Sequence, residues 1–254
     1  MTIALTRWPS PRMTECQLTY LDRAPLDLER VVTEHAGYCQ ALAECGARVT
    51  TLAGAAEFPD CTFIEDTAVV LDELALICRL GTASRQGEEV EIARRLETYR
   101  RLIRLTSPAT LEGGDVLRVD RTLFVGLSSR TNAAGIEQLA EATRPFGYTV
   151  RAVPVTGCLH FKTACTALPD GRLLVNPEWI DTTALRGCSF VSVPESEPWG
   201  ANLVCLHGQV IAAAEHEQTI ALLGYCGVDV HPVKLGEFAR AEGGATCLSL
   251  LFTE

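Results

Sequence analysis

AEGGATCLSLLFTE (Ala241–Glu254) ends the sequence with two glycines, a cysteine and a short apolar run. A terminal segment is usually frayed and unimportant. Here two glycines and a cysteine lead into an apolar run, as in a strand entering a core with Cys247 at its tip. Such a strand needs a partner, and no residues follow it to form a hairpin. The natural partner is the apolar segment at the other end, TIALTRWP (Thr2–Pro9). Pairing tail with head would close the chain into a ring.

The interior supports a ring. LALICRL, RTLFVGL, GRLLVNP and GQVIAAA read as buried strands, each leading to a helical stretch and then to a further strand. The helical stretches are GEEVEIARRLETYRRL (87–102), TNAAGIEQLAEATRPFG (131–147), a shorter piece near Pro177–Arg186, and EHEQTIALLGYCG (215–227). A fifth, DLERVVTEHAGYCQALAECG (27–46), precedes RVTTLA. Helices end near glycine or a turn, as expected. Between units run short strand segments, TFIEDTAVVLD, TLEGGDVLRVD, CLHFKTACTALPDG and GANLVCLHG, each turning into the next strand as a hairpin. Corresponding positions in these segments and the tail hold Glu65/Asp66, Glu112, His160, Asn202 and Cys247, separated by 46 (from Asp66), 48, 42 and 45 residues. A period of this size predicts a radially repeated architecture. The expectation is one α/β domain over residues 1–254, with five ββαβ-type repeats in a pseudo-fivefold propeller and equivalent side chains meeting at its hub. The residue types there suit a nucleophile, a base and a residue that orients the base.

Composition bounds the function. The chain has 254 residues and a net charge of −10, which argues against nucleic acid and mildly favours a cationic small molecule. No apolar run is long enough for a membrane span. The N-terminus has no basic start or cleavage motif and reads as mature sequence. Eleven cysteines without a C-x-x-C pair fit a reducing, cytoplasmic setting and give no dedicated metal site. Cys39, Cys78, Cys165, Cys205 and Cys226 sit among apolar residues and read as core filler. No cofactor is implied. The oligomeric state stays open, a homodimer included.

FPDCTFIEDTAVV, SRQGEEVE, TLEGGDVL, VGLSSRTNAAG, LHFKT and GGATCLSL carry a resemblance over essentially the whole chain. In these segments the sequence resembles the dimethylarginine dimethylaminohydrolases, within the guanidino-group-modifying superfamily, whose fold is a five-bladed α/β propeller. The resemblance implies Cys247 as nucleophile, His160 as general acid/base and Glu112 as the carboxylate orienting the histidine. It implies Glu65 and Asp66 as the carboxylates holding a guanidinium, and Arg85 and Arg130 as the arginines taking an α-carboxylate. Asp60 would lie near the α-amino group, and Leu18 and Phe63 would line the pocket. Thr163 stands where serine or threonine serves, and Gln86 where a second arginine often follows. The implied reaction is hydrolysis of Nω-methylated arginine to citrulline and dimethylamine or methylamine, through a covalent thiouronium.

The residues fit these roles physically. A carboxylate pair fixes the plane of a guanidinium, whose charge offsets their mutual repulsion. Charges inside the apolar run FIEDTAVV, which reads as strand, need a partner or a cleft. A cysteine needs help to ionise, and a cation beside the sulfur gives it. His35, His207, His216 and His231 fall at helix or turn positions and read as structural or surface residues. An arginine deiminase is the nearest alternative, but there a carboxylate usually stands two residues after the histidine, where this chain has Lys162. A non-catalytic arginine-binding protein would not need Cys247 with His160. A cysteine protease lacks recognisable surroundings for Cys247.

Overall fold

The structure is a computed structural model that describes residues 1–254. The chain opens with strand β1 (Thr2–Arg7), helix α1 (Leu28–Glu44) and strand β2 (Arg48–Leu52), which pairs parallel to β1. Asp27 caps α1 by accepting from the amides of Glu29 and Arg30. The helix buries Val31, His35, Tyr38, Ala41 and Leu42, one face at helical spacing. Burying Leu42 alone contributes about 2–3 kcal/mol.

The first complete blade is β3 (Ala68–Val70), β4 (Leu74–Ile77), α2 (Glu89–Leu96) and β5 (Arg101–Arg104). Strands β3 and β4 are antiparallel, with Ala68 opposite Ile77, and the crossover through α2 brings β5 parallel to β4. The plan recurs in β6 (Val116–Val119), β7 (Thr122–Leu127), α3 (Ala133–Thr143) and β8 (Thr149–Pro154). A one-turn helix, α4 (Phe161–Ala164), leads into β9 (Cys165–Ala167), β10 (Leu173–Val175) and β11 (Phe190–Ser192). Next come β12 (Leu203–Leu206), β13 (Gln209–Ala213), α5 (Glu217–Tyr225) and β14 (Asp229–Val233). After α6 (Gly236–Arg240), β15 (Ser249–Thr253) pairs antiparallel with β1, Leu250 opposite Leu5. Five three-stranded sheets result, the last joined from both chain ends: a five-bladed α/β propeller.

Several elements differ from the sequence reading. The third blade has no α-helix at 177–186, only a 3-10 turn at Thr182–Leu185. Asp181 caps that turn, and Gly187 at φ +91° ends it before a second turn of helix can form. Helix α2 stops at Leu96 rather than running on to 102, because residues 101–104 are claimed by β4 as a parallel partner. Glu65 and Asp66 lie on a 3-10 turn (Ile64–Thr67), not on a strand. Cys78 and Cys165 are core, but Cys39 and Cys226 are half-buried and Cys205 is exposed. His35 is wholly buried against Trp8, and burial pushes its imidazole down to about 4, so it is a neutral packing residue. No helix is long and apolar enough to cross a membrane.

The turn before the first strand of each blade is the feature that builds the site. Ile64–Thr67 precedes β3, Gly113–Asp115 precedes β6, α4 precedes β9, Asn202 precedes β12, and Thr246–Leu248 precedes β15. The turn at 64–67 packs on both the turn at 113–115 and the turn at 246–248, and α4 packs on the turn at 113–115.

Candidate active site

One structural position, used five times, delivers the hub side chains. Glu112 is fully buried and divides its oxygens. Oε1 accepts from the Gly81 amide at 2.9 Å, and Oε2 lies 2.7 Å from His160 Nε2. His160 Nε2 is also 3.8 Å from Asp66 Oδ1. Gly114 permits this crowding, since a Cβ there would stand 2.9 Å from the imidazole and 2.7 Å from Asp66 Oδ1. Asp115 accepts from the Phe161 amide at 2.8 Å and so fixes the turn that aims His160. Burial works against a charged imidazole, but Asp66, Glu112 and Asp115 outweigh it and push His160 up to about 9. That direction favours the protonated imidazole at neutral pH.

Cys247 is 7% exposed, enclosed but at the edge of the hub. Its sulfur accepts from the Gly244 amide at 3.5 Å and lies 3.9 Å from Asn202 Nδ2. Asn202 Oδ1 accepts from the Thr246 amide at 2.9 Å, so the fourth blade secures the turn that carries Cys247. The thiol makes no hydrogen bond to His160. Burial, then Glu65 and Asp66, push it up to about 12. Alkylation of Cys247 by iodoacetamide, followed by peptide mass mapping, is therefore expected to accelerate steadily from pH 7 to pH 9 in the ligand-free protein. A rate already at plateau by pH 7 would show a preformed thiolate.

The two guanidinium-binding candidates differ. Asp66 accepts from Arg85 Nη1 at 2.7 Å and from the Gly114 amide at 3.2 Å. Burial opposes its ionisation, but His160 and Arg85 overcome that and lower it. Glu65 Oε1 accepts from Lys162 Nζ at 2.5 Å, while Oε2 is buried without a hydrogen-bond partner. Burial pushes Glu65 up to about 7 against the pull of Lys162. Glu65, Lys162 and Thr246 border a cavity of about 330 Å³ that extends to Arg118 and Cys205. A second cavity of about 310 Å³ is bordered by Leu21, Thr163, Asn202, Glu242 and Gly244.

The remaining predicted residues surround this hub. Asp60 is buried and accepts from the Gln17 amide at 3.0 Å. Phe63 packs with Leu18 in the cluster that contains Cys247, and Gly243 leaves room for its ring. Thr163 is buried on α4. Arg130 is buried, bonds the Thr82 hydroxyl, donates to Thr19 Oγ1 at 3.3 Å and lies 3.7 Å from Glu112 Oε1. Arg85, implied above as an arginine for the α-carboxylate, is 3% exposed, with donors spent on Asp66, Glu88 and the Phe63 carbonyl. Sequence reasoning missed Glu88, buried and paired with Arg85 at 2.9 Å, and the Lys162–Glu65 pair. It also missed the roles of Asn202 and Asp115. The repeat pointed to Asn202 by position; nothing local pointed to Glu88. Asp66, Glu112 and His160 could together face a metal ion, but Arg85 already supplies positive charge to that cluster, so it does not read as a metal centre.

A buried imidazole–carboxylate pair, a thiol and a carboxylate pair at the hub of a five-bladed α/β propeller define the guanidino-group-modifying class of enzymes. Comparison with known proteins narrows this. The sequence model described as "N,N dimethylarginine dimethylhydrolase, eukaryotic" matches residues 22–182. A Streptomyces coelicolor protein named N(G),N(G)-dimethylarginine dimethylaminohydrolase is 38% identical over 253 residues, covering 99% of this chain and 97% of that one. A Pseudomonas aeruginosa protein of the same name is 29% identical over 228 residues, covering 89% and 90%. The crystal structure of a histidine-to-glycine variant of dimethylarginine dimethylaminohydrolase, as an adduct with S-methyl-L-thiocitrulline, superposes with TM-score 0.94 at 28% identity, covering 99% and 100%. That of a cysteine-to-serine variant of the Pseudomonas aeruginosa enzyme, complexed with citrulline, gives 0.93 at 28% identity, covering 98% of each chain. This chain belongs to the dimethylarginine dimethylaminohydrolase family.

Proposed function

We propose that the protein hydrolyses Nω-methylated arginine to citrulline, releasing dimethylamine or methylamine through a covalent adduct on Cys247. The observation that carries this reading is the incomplete acid pair beside the nucleophile. Glu65 Oε2 is buried and unpartnered, and a guanidinium N–H would satisfy it. A planar cation between Glu65, Asp66 and Cys247 would also reverse the field that keeps the thiol protonated.

The chemistry follows from the ionisation states. The substrate's charge draws the thiol toward thiolate, its proton passing to solvent, and the sulfur adds to the guanidinium carbon to give a tetrahedral adduct. Protonated His160, held by Glu112, donates its proton to the departing amine as the C–N bond breaks. The product of that step is a thiouronium on Cys247. His160, now neutral, takes a proton from water as the water adds to the same carbon. The C–S bond then breaks, the remaining hydroxyl proton passes to the sulfur as the urea carbonyl forms, and citrulline leaves with the thiol restored. Arg130 suits the α-carboxylate, with Arg85 behind it keeping Asp66 ionised. Asp60 suits the α-amino group, and Leu18, Phe63 and Thr163 complete the walls.

Lys162 separates this reading from arginine deimination. It occupies one oxygen of Glu65, so the site offers the guanidinium fewer acceptors than it has N–H groups. A dimethylated nitrogen has no N–H to leave unsatisfied. Citrulline release should therefore favour mono- or asymmetric dimethylarginine over arginine by about 10–100-fold in kcat/KM. An assay across arginine, its methylated forms and agmatine tests this. Equal kcat/KM for free arginine would move the protein to the deiminases.

A further inference from the structure

The segment 17–27 has no regular structure, yet it is held at both ends and in the middle by carboxylates. Asp60 accepts from the Gln17 amide at 3.0 Å, and Glu237 Oε2 accepts from the Asp27 amide at 2.9 Å. Between them, Glu242 Oε1 accepts from three successive amides, Thr19 at 2.8 Å, Tyr20 at 2.5 Å and Leu21 at 2.6 Å. Successive amides converging on one anionic oxygen form a nest, a strong and geometrically specific arrangement. Leu18 sits between the first and second anchors and packs on the cluster that contains Phe63 and Cys247. Arg130 donates to Thr19 Oγ1. The strap is thus bonded to Asp60 and Arg130, the two residues assigned above to the amino-acid end of the substrate.

The backbone at Glu242 shows that this side chain is retained at a cost. Its φ is +58°, in the left-handed region that favours glycine. The other non-glycine residues with positive φ are Asp120 and His207, both at hairpin turns where short polar or turn residues are usual. Glu242 instead precedes Gly243 and Gly244 at the entrance to the nucleophile's turn, and it is only 7% exposed. A third glycine would relax the backbone and avoid burying a charge. The strain is sustained for what the carboxylate does.

We infer that Glu242 is a positioning residue, the latch that fixes the 17–27 strap over the active site. It touches neither reacting atom. It acts through the backbone of Thr19–Leu21, and so through Leu18 and the Thr19 contact to Arg130. The inference rests on the proposed hydrolysis for its kinetic consequence, but not for its structural one.

Glu242→Gly and Glu242→Gln separate the latch from a merely structural role. Glycine suits the backbone, so Glu242→Gly is expected to melt at or above the native temperature. Its amides at Thr19, Tyr20 and Leu21 should nevertheless exchange with deuterium at least tenfold faster. KM for monomethylarginine should rise on the order of 10–100-fold through loss of three charge-assisted hydrogen bonds, with kcat changed less than threefold. Glu242→Gln keeps a carbonyl oxygen that can accept the same amides, and should restore exchange and KM to within about threefold of native. Native exchange and native KM in Glu242→Gly would overturn the inference. So would a Gln variant with native exchange at Thr19–Leu21 but the KM of the Gly variant, because the charge and not the latch would then set KM. Wild-type protein that releases no citrulline would instead overturn the proposed activity, leaving the exchange comparison to decide the latch.

Discussion

Cys247→Ser is expected to reduce citrulline release from methylarginine by on the order of 10⁴-fold or more, while the folded protein still binds citrulline. The size of the effect follows from where the sulfur sits. Burial and the facing carboxylates Glu65 and Asp66 already push the thiol up to about 12. A hydroxyl in the same place starts many units higher, and a substrate cation cannot bring it into range. Nothing else should suffer. Serine is nearly the same shape, and the turn is secured by Asn202 Oδ1 on the Thr246 amide, which the substitution leaves intact. Calorimetric titration with citrulline alongside a turnover assay would show binding without chemistry. Turnover within tenfold of native would remove Cys247 as the nucleophile.

The second large effect belongs to His160→Ala, and it is expected to divide by substrate. Methylarginine turnover should fall on the order of 10²–10⁴-fold, because an amine leaves only when protonated and His160 is the proposed proton donor. S-methylthiocitrulline expels a thiol, a far better leaving group, so its first step should survive. The second step should not, since the same imidazole deprotonates water. A covalent adduct on Cys247 should therefore accumulate and be visible as a mass increase of the intact protein. Rapid turnover of either substrate without adduct would assign the proton transfers elsewhere. The variant also reports on stability. His160 is raised to about 9 in the folded protein, so its ion pairs with Asp66 and Glu112 stabilise fully below the ordinary imidazole value near 6.5. That contribution fades as pH climbs through 9. The gap in melting temperature between native and His160→Ala proteins should therefore narrow from pH 6 to pH 10.

Both predictions concern residues that the repeat had already singled out. Strands such as LALI and TLFVGL are legible because successive side chains alternate or are all apolar, a property of neighbours in the chain. The ring closure was legible for the same reason: an apolar tail and an apolar head each lacked a partner, and β15 pairs with β1. Failures came where distant segments overrule local preference. Residues 97–102 are helix-compatible alone, but β4 recruits 101–104 as strand. FIED looks like strand, but its acids can reach the hub only from a turn. Arg85, implied by the resemblance as a carboxylate-binding arginine, spends its donors on the acids Glu88 and Asp66 inside the protein. The resemblance named the site residues one by one, but it said nothing of how they share partners.

By itself, the sequence determined the fivefold repeat, the closure of its two ends and the five positions that face the hub, because these rest on periodicity and on apolar segments needing partners. Only the tertiary structure decided which acid meets which base. His160 pairs with Glu112 across 48 residues, Lys162 with Glu65 across 97, and Thr19 with Glu242 across 223. Charge state and pairing depend on burial and on separations of a few ångströms, and those quantities exist only once the chain has closed.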